Sequence, residues 1–441
     1  MTLHGLMLGV LGAALATSAT SALAQLPIEH WETSSGARVY FVRSGDLPMV
    51  DVSVQFPAGS GRDSLSNSGL AGMTLRLLRA GTDELSEDEV SRRLADVGAN
   101  LRQVFDFDRS GLSLRSLSHD AHLTPALVVL AGVLQRPSFP PEALEREKTR
   151  VLAGMKETDA RPAGIASRTF ARLVYRDHPY GLRASGEAES VARFAREDLA
   201  GFHARFYNRR DAVVTMMGDV SRSRAEAIAE QLTAGLPQAG EALPPLPAVT
   251  PLAGASSRYI AYRSVQAHIF LGAPGMTRSD PDYVPLWVGN HMLGGSGFGS
   301  RLMEELREKR GLTYSVYSSF SPYQQAGVFQ IGLQTRGDQA QAALQAVRDT
   351  LAKFIIEGPG AEELERAKQG LVGGFPLRID SNRKIHEYLG VIGFYRLPLD
   401  YLDWFPARIE AVTAEQIRDA FQRRIHPERM VTVVVGGTQA E

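Results

Sequence analysis

Apolar residues along this chain recur with two periods, one typical of strands and one typical of helices. Val50, Val52, Val54 and Phe56 alternate with other residues, which predicts a half-buried strand. The same alternation predicts three further strands, which lie within residues 112–114, 267–271 and 329–333. A strand of this kind needs a second layer to bury its apolar face.

A helical period separates the strands. Ser86-Glu87-Asp88-Glu89 is a capping box, and it opens a helix that runs towards Gly98, a residue suited to the position after a helix end. Pro141 is placed to start another amphipathic helix. Helices are also predicted over residues 119–134, 141–156, 283–293, 300–309, 339–355 and 414–424. Runs of strands followed by runs of helices predict an α+β fold with helices covering each sheet.

The chain carries an internal duplication. Residues 141–148 (Pro-Glu-Ala-Leu-Glu-Arg-Glu-Lys) recur as residues 361–368, and residues 199–218 recur as 417–436, both with an offset of about 220 residues. An offset of that size makes the repeated unit a whole domain. Residues 237–256 are rich in Pro, Ala and Gly, which predicts a semi-extended linker. We therefore predict an N-terminal domain over residues 25–236 and a homologous C-terminal domain over residues 257–441.

Composition narrows the classes of function. The 441 residues include 48 Lys and Arg against 49 Asp and Glu, so a net charge of −1 gives no reason to invoke nucleic acid or an acidic membrane surface. There is no cysteine, which excludes disulfides, thiolate metal sites and a cysteine nucleophile. The hydrophobic fraction of 44% can fill sizeable cores.

The N-terminus resembles a secretion signal. Leu6 to Ala16 is an apolar run too short to span a bilayer, and Ala22-Leu23-Ala24 is an Ala-x-Ala cleavage site. The residues before the run contain no Lys or Arg, so a mis-assigned start codon or a disordered leader remains an alternative. We expect residues 1–24 to be a signal peptide and the mature protein, which has no later apolar span, to be soluble in a bacterial periplasm.

Residues 69–82 read Gly-Leu-Ala-Gly-Met-Thr-Leu-Arg-Leu-Leu-Arg-Ala-Gly-Thr. This stretch resembles the zinc helix of the pitrilysin/insulinase family, the inverzincins, to which the mitochondrial processing peptidases belong. Family members carry His-x-x-Glu-His between Gly-Leu-Ala and Gly-Thr. On a helix the two His lie on one face and hold Zn²⁺, and the Glu acts as general base.

The resemblance places the family's chemical positions on residues that cannot perform that chemistry. The two His positions fall on Gly72 and Arg76, and the general-base position falls on Leu75. A third ligand, a Glu about 77 residues further on, falls on Ala153. Gly and Ala offer no donor atom, and a guanidinium stays protonated and repels a dication. We therefore expect no catalytic zinc in this chain.

Three other stretches support the resemblance, namely residues 177–181 (Asp-His-Pro-Tyr-Gly), 197–219 and 299–316. The last is similar to the second-half segment that carries the family's Arg/Tyr pair. Arg307 and Tyr314 stand in the Arg-x₆-Tyr spacing of that pair. The resemblance covers nearly the whole mature chain, so the chain is identified as a member of the family.

Membership implies two clam-like halves that enclose a chamber, with the zinc site in the first half and the Arg/Tyr pair in the second. In the two-subunit branch, one chain keeps the zinc helix and its partner lacks it. The resemblance therefore implies a non-zinc subunit of a heterodimeric periplasmic zinc peptidase. Its Arg307 and Tyr314 would complete the active site of a homologous zinc-binding subunit that cleaves a peptide substrate. The alternative is a catalytically inactive structural or peptide-binding member of the family.

Three histidines have other interpretations. His119 and His122 have metal-like spacing, but the local chain adds only Asp120 and no general base, so we expect no site there. His178 is expected to be a capped or hydrogen-bonded histidine in a loop.

Two further features also have plain structural explanations. Arg76 is expected to be a solvated helix arginine. Gly294–Gly299 has no following Lys and fits neither glycine-rich phosphate motif, so we expect a turn that leads into Ser300 as a helix N-cap, or a loop that contacts peptide.

On spacing alone, Arg307 and Tyr314 would be a surface salt-bridging residue and a core aromatic. Within the family resemblance we favour function. The helix predicted from Ser300 should end at Gly311, and residues 312–319 should form a strand with Leu312, Tyr314 and Val316 on one face. The turn between them can bring the arginine side chain back towards the tyrosine ring.

Overall fold

The computed structural model describes residues 27–238 and 240–437, so the predicted signal peptide lies outside the described residues. The eleven described strands are β1 (Glu29–Glu32), β2 (Arg38–Arg43), β3 (Met49–Phe56), β4 (Asn100–Phe105), β5 (Ser110–Leu117), β6 (Val213–Gly218), β7 (Ser256–Ile260), β8 (Gln266–Pro274), β9 (Val316–Phe320), β10 (Val328–Arg336) and β11 (Val431–Val435). They form two sheets, one in each half of the chain.

The described helices of the first half are α1 (Leu70–Leu77), α2 (Glu87–Asp96), α3 (Asp120–Gln135), α4 (Pro141–Asp159), α5 (Pro162–Tyr175), α6 (Ala188–Arg193), α7 (Arg196–Phe206) and α8 (Arg222–Ala234). Those of the second half are α9 (Tyr283–Asn290), α10 (Arg301–Met303), α11 (Ala340–Glu357), α12 (Ala361–Gly373), α13 (Asn382–Tyr395), α14 (Tyr401–Ala411) and α15 (Ala414–Arg424). The predicted α+β architecture of two sheets covered by helices is confirmed.

The two sheets repeat one plan. The first has the strand order β1-β2-β6-β3-β5-β4 and the second has the order β7-β11-β8-β10-β9. In each sheet only one pair is parallel, β2 with β6 and β7 with β11, and the remaining pairs are antiparallel. The second sheet therefore matches the first strand for strand without β1, which is the structural form of the duplication in the sequence.

Each half also covers the sheet of the other half. Helix α5 of the first half packs on β8 and β11, and α13 of the second half packs on β3 and β6. Phe170 of α5 stacks on Phe270 of β8 with ring centroids 5.6 Å apart. At Gly390 of α13 the approach is close enough that a Cβ would lie 2.5 Å from Nε2 of Gln55. The exchange of helices joins the two halves through a shared layer.

This exchange changes the environment of β3, which the sequence predicted as half-buried. Every residue from Val50 to Phe56 is buried, because α13 lies on the face that the pattern left polar. The polar side chains there are satisfied by hydrogen bonds: Ser53 Oγ lies 2.7 Å from Thr215 Oγ1, which lies 3.0 Å from Nε2 of His386 on α13. Burial lowers the pKa of His386, so the ring is neutral between the halves.

A buried carboxylate forms a second connection between the halves. Asp108 accepts hydrogen bonds from the Tyr180 hydroxyl, from the Tyr395 hydroxyl at 2.7 Å and from the backbone N–H of Gln324 at 2.7 Å. Tyr180 belongs to the first half, whereas Gln324 and Tyr395 belong to the second. Burial raises the pKa of Asp108 despite these three donors.

The segment between α8 and β7 contains no helix or strand among its described residues, yet it is not a free spacer. Arg62 Nη1 donates to the Pro244 carbonyl at 2.6 Å, and Leu246 and Leu252 are buried. The segment therefore packs against the folded protein, because these apolar side chains are buried and its backbone accepts a hydrogen bond from Arg62. The domain boundaries at residues 237 and 256 stay a prediction.

Several helix ends lie where capping residues, glycine and proline in the sequence predicted them. Ser86 and Glu89 form the reciprocal capping box of α2, Gly98 has φ +65° just beyond its end, and Pro141 opens α4. The helix predicted over residues 283–293 is α-helical only to Asn290 and continues as a π-helical turn, His291–Gly295. Among the described residues no helix has the length and apolar character needed to cross a membrane.

Candidate functional site

Helix α1 is the helix to which the family resemblance assigns the zinc positions. Its N-terminus is capped by the carboxylate of Asp63, which accepts from the N–H groups of Gly69 at 2.8 Å and Ala71 at 3.0 Å. Asp63 is 3% exposed, and this burial raises its pKa to about 7. The helix begins where Gly69 adopts φ +93°, a left-handed conformation that glycine allows. The Asp63 cap and the left-handed glycine thus give this helix a defined start.

Two of the positions to which the resemblance assigns the zinc chemistry, Gly72 and Leu75, are closely packed. A Cβ at Gly72 would lie 2.8 Å from the Ala184 carbonyl oxygen, so no side chain fits there without moving the backbone of the neighbouring segment. Leu75 is 2% exposed and belongs to the first-half core. Arg76 is partly exposed and its Nη1 lies 3.3 Å from Oε1 of Glu147 on α4. Ala153, the predicted third-ligand position, is exposed on α4.

No group of three or more His, Asp or Glu side chains is placed to hold a metal ion in the described part of the chain. His119 precedes α3, and Nδ1 of His122 lies 3.3 Å from the Val97 carbonyl, a contact of structural type.

His178 has the capping role expected from the sequence. Its Nδ1 accepts the N–H of Tyr180 at 3.1 Å, so the proton is on Nε2, which donates to the Pro247 carbonyl at 2.9 Å. Burial lowers its pKa, and the neutral ring holds the docked interdomain segment.

Arg307 and Tyr314 are in direct contact, together with an aromatic residue that the sequence did not assign. The Arg307 guanidinium carbon lies 4.5 Å from the ring centroid of Tyr314 and 4.6 Å from that of Phe298. Arg307 Nη1 also donates to the Tyr314 carbonyl oxygen at 3.0 Å. The cation is therefore held between two rings, which fixes a side chain that would otherwise sample many rotamers.

Both rings face solvent: Tyr314 is 81% exposed and Phe298 is 65% exposed. Phe298 is carried by a short 3₁₀ turn, Gly297–Gly299, within the glycine-rich loop. The sequence signal for Phe298 was its place between two glycines, which predict a turn and therefore a position at the surface.

The path from Arg307 to Tyr314 differs from the predicted helix and strand. The segment after Ser300 is α-helical only over α10 and continues as a π-helical turn, Glu304–Glu308. The Ser300 hydroxyl donates to the Gly297 carbonyl and does not cap the helix. Gly311 has φ +60°, as expected for a helix end.

The strand after this turn begins at Val316, four residues later than predicted. Thr313 Oγ1 donates to the Gln334 carbonyl at 2.6 Å, and this side-chain bond replaces the first ladder bonds of the strand. As a result Tyr314 does not share a face with Val316, which is 2% exposed. The expected alternation was wrong here, although the predicted contact between Arg307 and Tyr314 is present.

Two adjoining cavities border Tyr314 and helix α1. One, of about 540 Å³, is lined by Tyr314, Thr313 and Gln266 among others. The other, of about 810 Å³, is lined by Arg76, Arg150, Arg168 and Arg183 and by apolar residues such as Met155. Ala163 and Phe270 line both, so the two cavities adjoin each other between the halves.

Comparison with protein families gives matches in both halves. Residues 38–187 match the model described as Insulinase (Peptidase family M16), and residues 193–371 match the model described as Peptidase M16 inactive domain. Among curated proteins, a non-peptidase homologue from Helicobacter pylori is 27% identical over 379 residues, which cover 85% of each chain. An uncharacterised zinc protease from Streptomyces coelicolor is 27% identical over 388 residues, 86% of this chain and 83% of that protein.

Solved structures give the same pattern. A structure described as a peptidase M16 inactive domain from Pseudomonas fluorescens is 38% identical, with a TM-score of 0.90 over 94% of this chain and 99% of that chain. The periplasmic protease PqqL from Escherichia coli is 16% identical and has a TM-score of 0.80 over 99% of this chain and 49% of that one. The second likeness concerns the fold alone.

Proposed function

The chain belongs to the M16 insulinase peptidase family in a form whose zinc-helix positions offer no ligands, and we propose that it is the non-zinc subunit of a heterodimeric peptidase. In this proposal Arg307 and Tyr314 complete the active site of a homologous zinc-binding partner that cleaves a peptide. The periplasmic location rests on the signal peptide predicted for residues 1–24.

The observation that carries the proposal is the contrast between the two halves. In the first half, Gly72 at the predicted ligand position and Leu75 at the predicted general-base position are closely packed. In the second half, Arg307 is held by two rings while Tyr314 stays exposed. An ordered arginine beside an exposed tyrosine has little to contribute to the stability of this chain alone, whereas both groups are available to a molecule that approaches from outside.

The pair has a defined chemistry to offer. A guanidinium and a neutral phenol aimed at a scissile carbonyl can donate hydrogen bonds to the oxyanion that develops when water attacks. One donor of this kind contributes about 3–4 kcal/mol to transition-state stabilisation. The zinc and its general base would come from the partner subunit, and this chain would orient the peptide and stabilise the charge.

The test uses the chain assembled with a homologous zinc subunit from the same organism. Tyr314→Phe should leave assembly intact and lower kcat by roughly a hundredfold. Arg307→Ala should also raise KM, because it removes a charge-assisted donor to the peptide. The matched control is Tyr259→Phe, which removes the hydroxyl of another exposed tyrosine in the second half and should leave kcat unchanged.

A structural or peptide-holding subunit would give a different result. In that case Tyr314→Phe and Tyr259→Phe would have equal activity in the assembled pair. Failure of the two chains to associate at micromolar concentration would reject the heterodimer itself, since an interface that closes a shared chamber should bury roughly 2,000 Å² or more.

A further inference from the structure

Helix α1, the candidate zinc helix, borders two cavities whose walls are rich in arginine. The larger cavity, of about 810 Å³, includes Phe270 of the second half in its lining, and the other, of about 570 Å³, is lined by residues of the first half. Arg76 of α1 and Arg150 of α4 line both of them. These two arginines therefore stand at the boundary, on the helices where a zinc site would have its ligands.

Neutralisation of Arg76 and Arg150 is incomplete. Nη1 of Arg76 lies 3.3 Å from one carboxylate oxygen of Glu147, and Nη1 of Arg150 lies 3.4 Å from the other. Two guanidinium groups thus share one carboxylate. The Glu147 side chain is 13% exposed, whereas that of Arg150 is 80% exposed, so the remaining donors of Arg150 are accessible to a ligand.

The positive excess extends around the smaller cavity. Its wall contains five arginines, Arg76, Arg79, Arg102, Arg146 and Arg150, and two carboxylates, those of Glu87 and Glu147. Arg146 pairs with Glu87. Arg102 Nε donates to the Asn100 side chain at 2.9 Å, and Arg79 Nη1 donates to the Leu101 carbonyl at 3.2 Å, both neutral acceptors. The donors of Arg79 and Arg102 thus meet neutral acceptors, and a wall with an excess of guanidinium groups favours an anion in the cavity.

The larger cavity adds an apolar surface to this charge. Val151, Met155 and Leu182 line it, together with Phe270 from the second half. Phe270 and Ala163 also line the cavity of Tyr314, so an extended chain could pass from Tyr314 to Arg76 without leaving the protein surface between the halves. Arg168 and Arg183 of this cavity pair with Asp159, so the incompletely neutralised charge in it is that of Arg76 and Arg150. Apolar walls that end in such guanidinium groups suit a peptide with apolar residues and carboxylates.

We propose that Arg76 and Arg150 form a carboxylate-binding subsite for peptide, at the position where related enzymes would hold their metal. The site has reversed its preferred charge, from a dication to an anion. The inference rests on the proposed function only in taking the occupant to be a peptide. The carboxylates can come from acidic side chains or from the C-terminus, and both use the same guanidinium chemistry.

The experiment measures binding to the full chain without a partner subunit, by fluorescence anisotropy. The probes are a labelled, C-terminally amidated peptide of alternating Leu and Glu, a peptide of alternating Leu and Gln with a free C-terminus, and the amidated form of the latter. Binding of the first should assign the subsite to acidic side chains, and binding of the second to the terminal carboxylate. Affinity should fall with added salt, because exposed charges are screened.

Arg76→Gln or Arg150→Gln should weaken binding of the carboxylate peptide by about tenfold or more. Arg366→Gln, on the exposed surface of α12 with its own carboxylate partner Glu362, is the matched control and should change nothing. Glu147→Gln should strengthen binding, because it releases both guanidinium groups. A gain in affinity from loss of a charged residue is a result that a general structural defect would not produce.

The proposal is overturned if the three peptides bind alike, or if none of them binds. It is also overturned if the Glu147→Gln and Arg76→Gln variants, with melting temperatures like wild type, bind as wild type does. The outcome is separable from that of the proposed function. A pair that cleaves peptide with no role for Arg76 would remove only the subsite. A chain that binds acidic peptide through Arg76 but does not assemble with a zinc subunit would remove only the heterodimer.

Discussion

Whether the loss of the zinc site is built into the packing can be tested with two glycine substitutions. Gly72 lies in α1 and Gly201 lies in α7, both within the first half. Replacing either with alanine should favour the helix by about 1 kcal/mol, since alanine has the higher helix propensity. At Gly201 nothing lies within 4 Å of the new Cβ, so Gly201→Ala should raise the free energy of unfolding by about that amount.

At Gly72 the same methyl group would lie 2.8 Å from the Ala184 carbonyl oxygen. A backbone atom cannot turn aside as a side chain can, and overpacking of this kind costs about 1–3 kcal/mol. The cost exceeds the gain in propensity, so Gly72→Ala should lower the free energy of unfolding by about 1 kcal/mol. The two variants should thus differ by about 2 kcal/mol in opposite directions from wild type.

Urea denaturation followed by tryptophan fluorescence and circular dichroism gives the comparison, with Trp31 as a reporter in the first half. If Gly72→Ala stabilises as much as Gly201→Ala, the segment at Ala184 yields and the packing argument is refuted. If the variants diverge as expected, Gly72→His combined with Arg76→His cannot restore a metal site in this backbone, because an imidazole is larger than a methyl group.

Three further outcomes follow from the described contacts. Elemental analysis of the dialysed full chain should find well below one zinc per molecule. A stoichiometric zinc that resists dialysis would contradict the prediction that Gly72, Arg76 and Ala153 cannot bind the metal. Asp108→Ala should lower the free energy of unfolding, measured in urea, by about 3 kcal/mol or more, because two tyrosine hydroxyls and a backbone N–H lose their acceptor. Tyr395→Phe removes one of these donors and should lower it by about 1 kcal/mol. Equal effects of the two variants would show that Asp108 does not bind all three donors together. Burial raises the pKa of Asp63 to about 7, so the folded chain keeps a proton that the unfolded chain releases near pH 4. The free energy of unfolding of wild type relative to Asp63→Asn should therefore fall between pH 4 and 7 by up to roughly 4 kcal/mol and then level off. A difference between the two proteins that does not change with pH would contradict the raised pKa.

The sequence predicted the architecture well where the signal was local or repeated. The capping box at Ser86 and the proline at Pro141 set the helix starts, and the duplication anticipated two sheets with one strand plan. These signals depend on a few adjacent residues or on whole-chain self-similarity, and tertiary contacts did not alter them.

The exchange of helices between the halves could not be predicted in the same way. In β3 the polar Asp51, Ser53 and Gln55 alternate with apolar residues and indicate a solvent-facing side. In the fold that side is covered by α13, and the polar groups are kept because each finds a partner there, such as the bidentate pair of Asp51 with Arg115 at 2.8 Å. A polar residue that is buried and satisfied has the same sequence pattern as an exposed one.

The sequence predicted only part of the candidate site. The spacing of Arg307 and Tyr314 predicted their contact, but the π-helical turn and the late start of β9 determine which way Tyr314 points. The third member of the group, Phe298, comes from a loop whose conformation no period describes. Spacing can bring residues together in a family frame, and only local backbone geometry shows what they present to a ligand.

The exposure of Tyr314 bears on how its role can be established. A side chain that is 81% exposed buries little apolar area, and within the described residues only its ring and its carbonyl are engaged, both by Arg307. Removing its hydroxyl should therefore change the free energy of unfolding by no more than a few tenths of a kcal/mol, as for surface substitutions in general. Activity of the assembled pair is then the measurement in which the hydroxyl can have an effect. A Tyr314→Phe variant that is unchanged in both stability and activity would leave this hydroxyl with neither a structural nor a catalytic role, and the proposal that the second half completes a partner's site would lose the residue on which it chiefly depends.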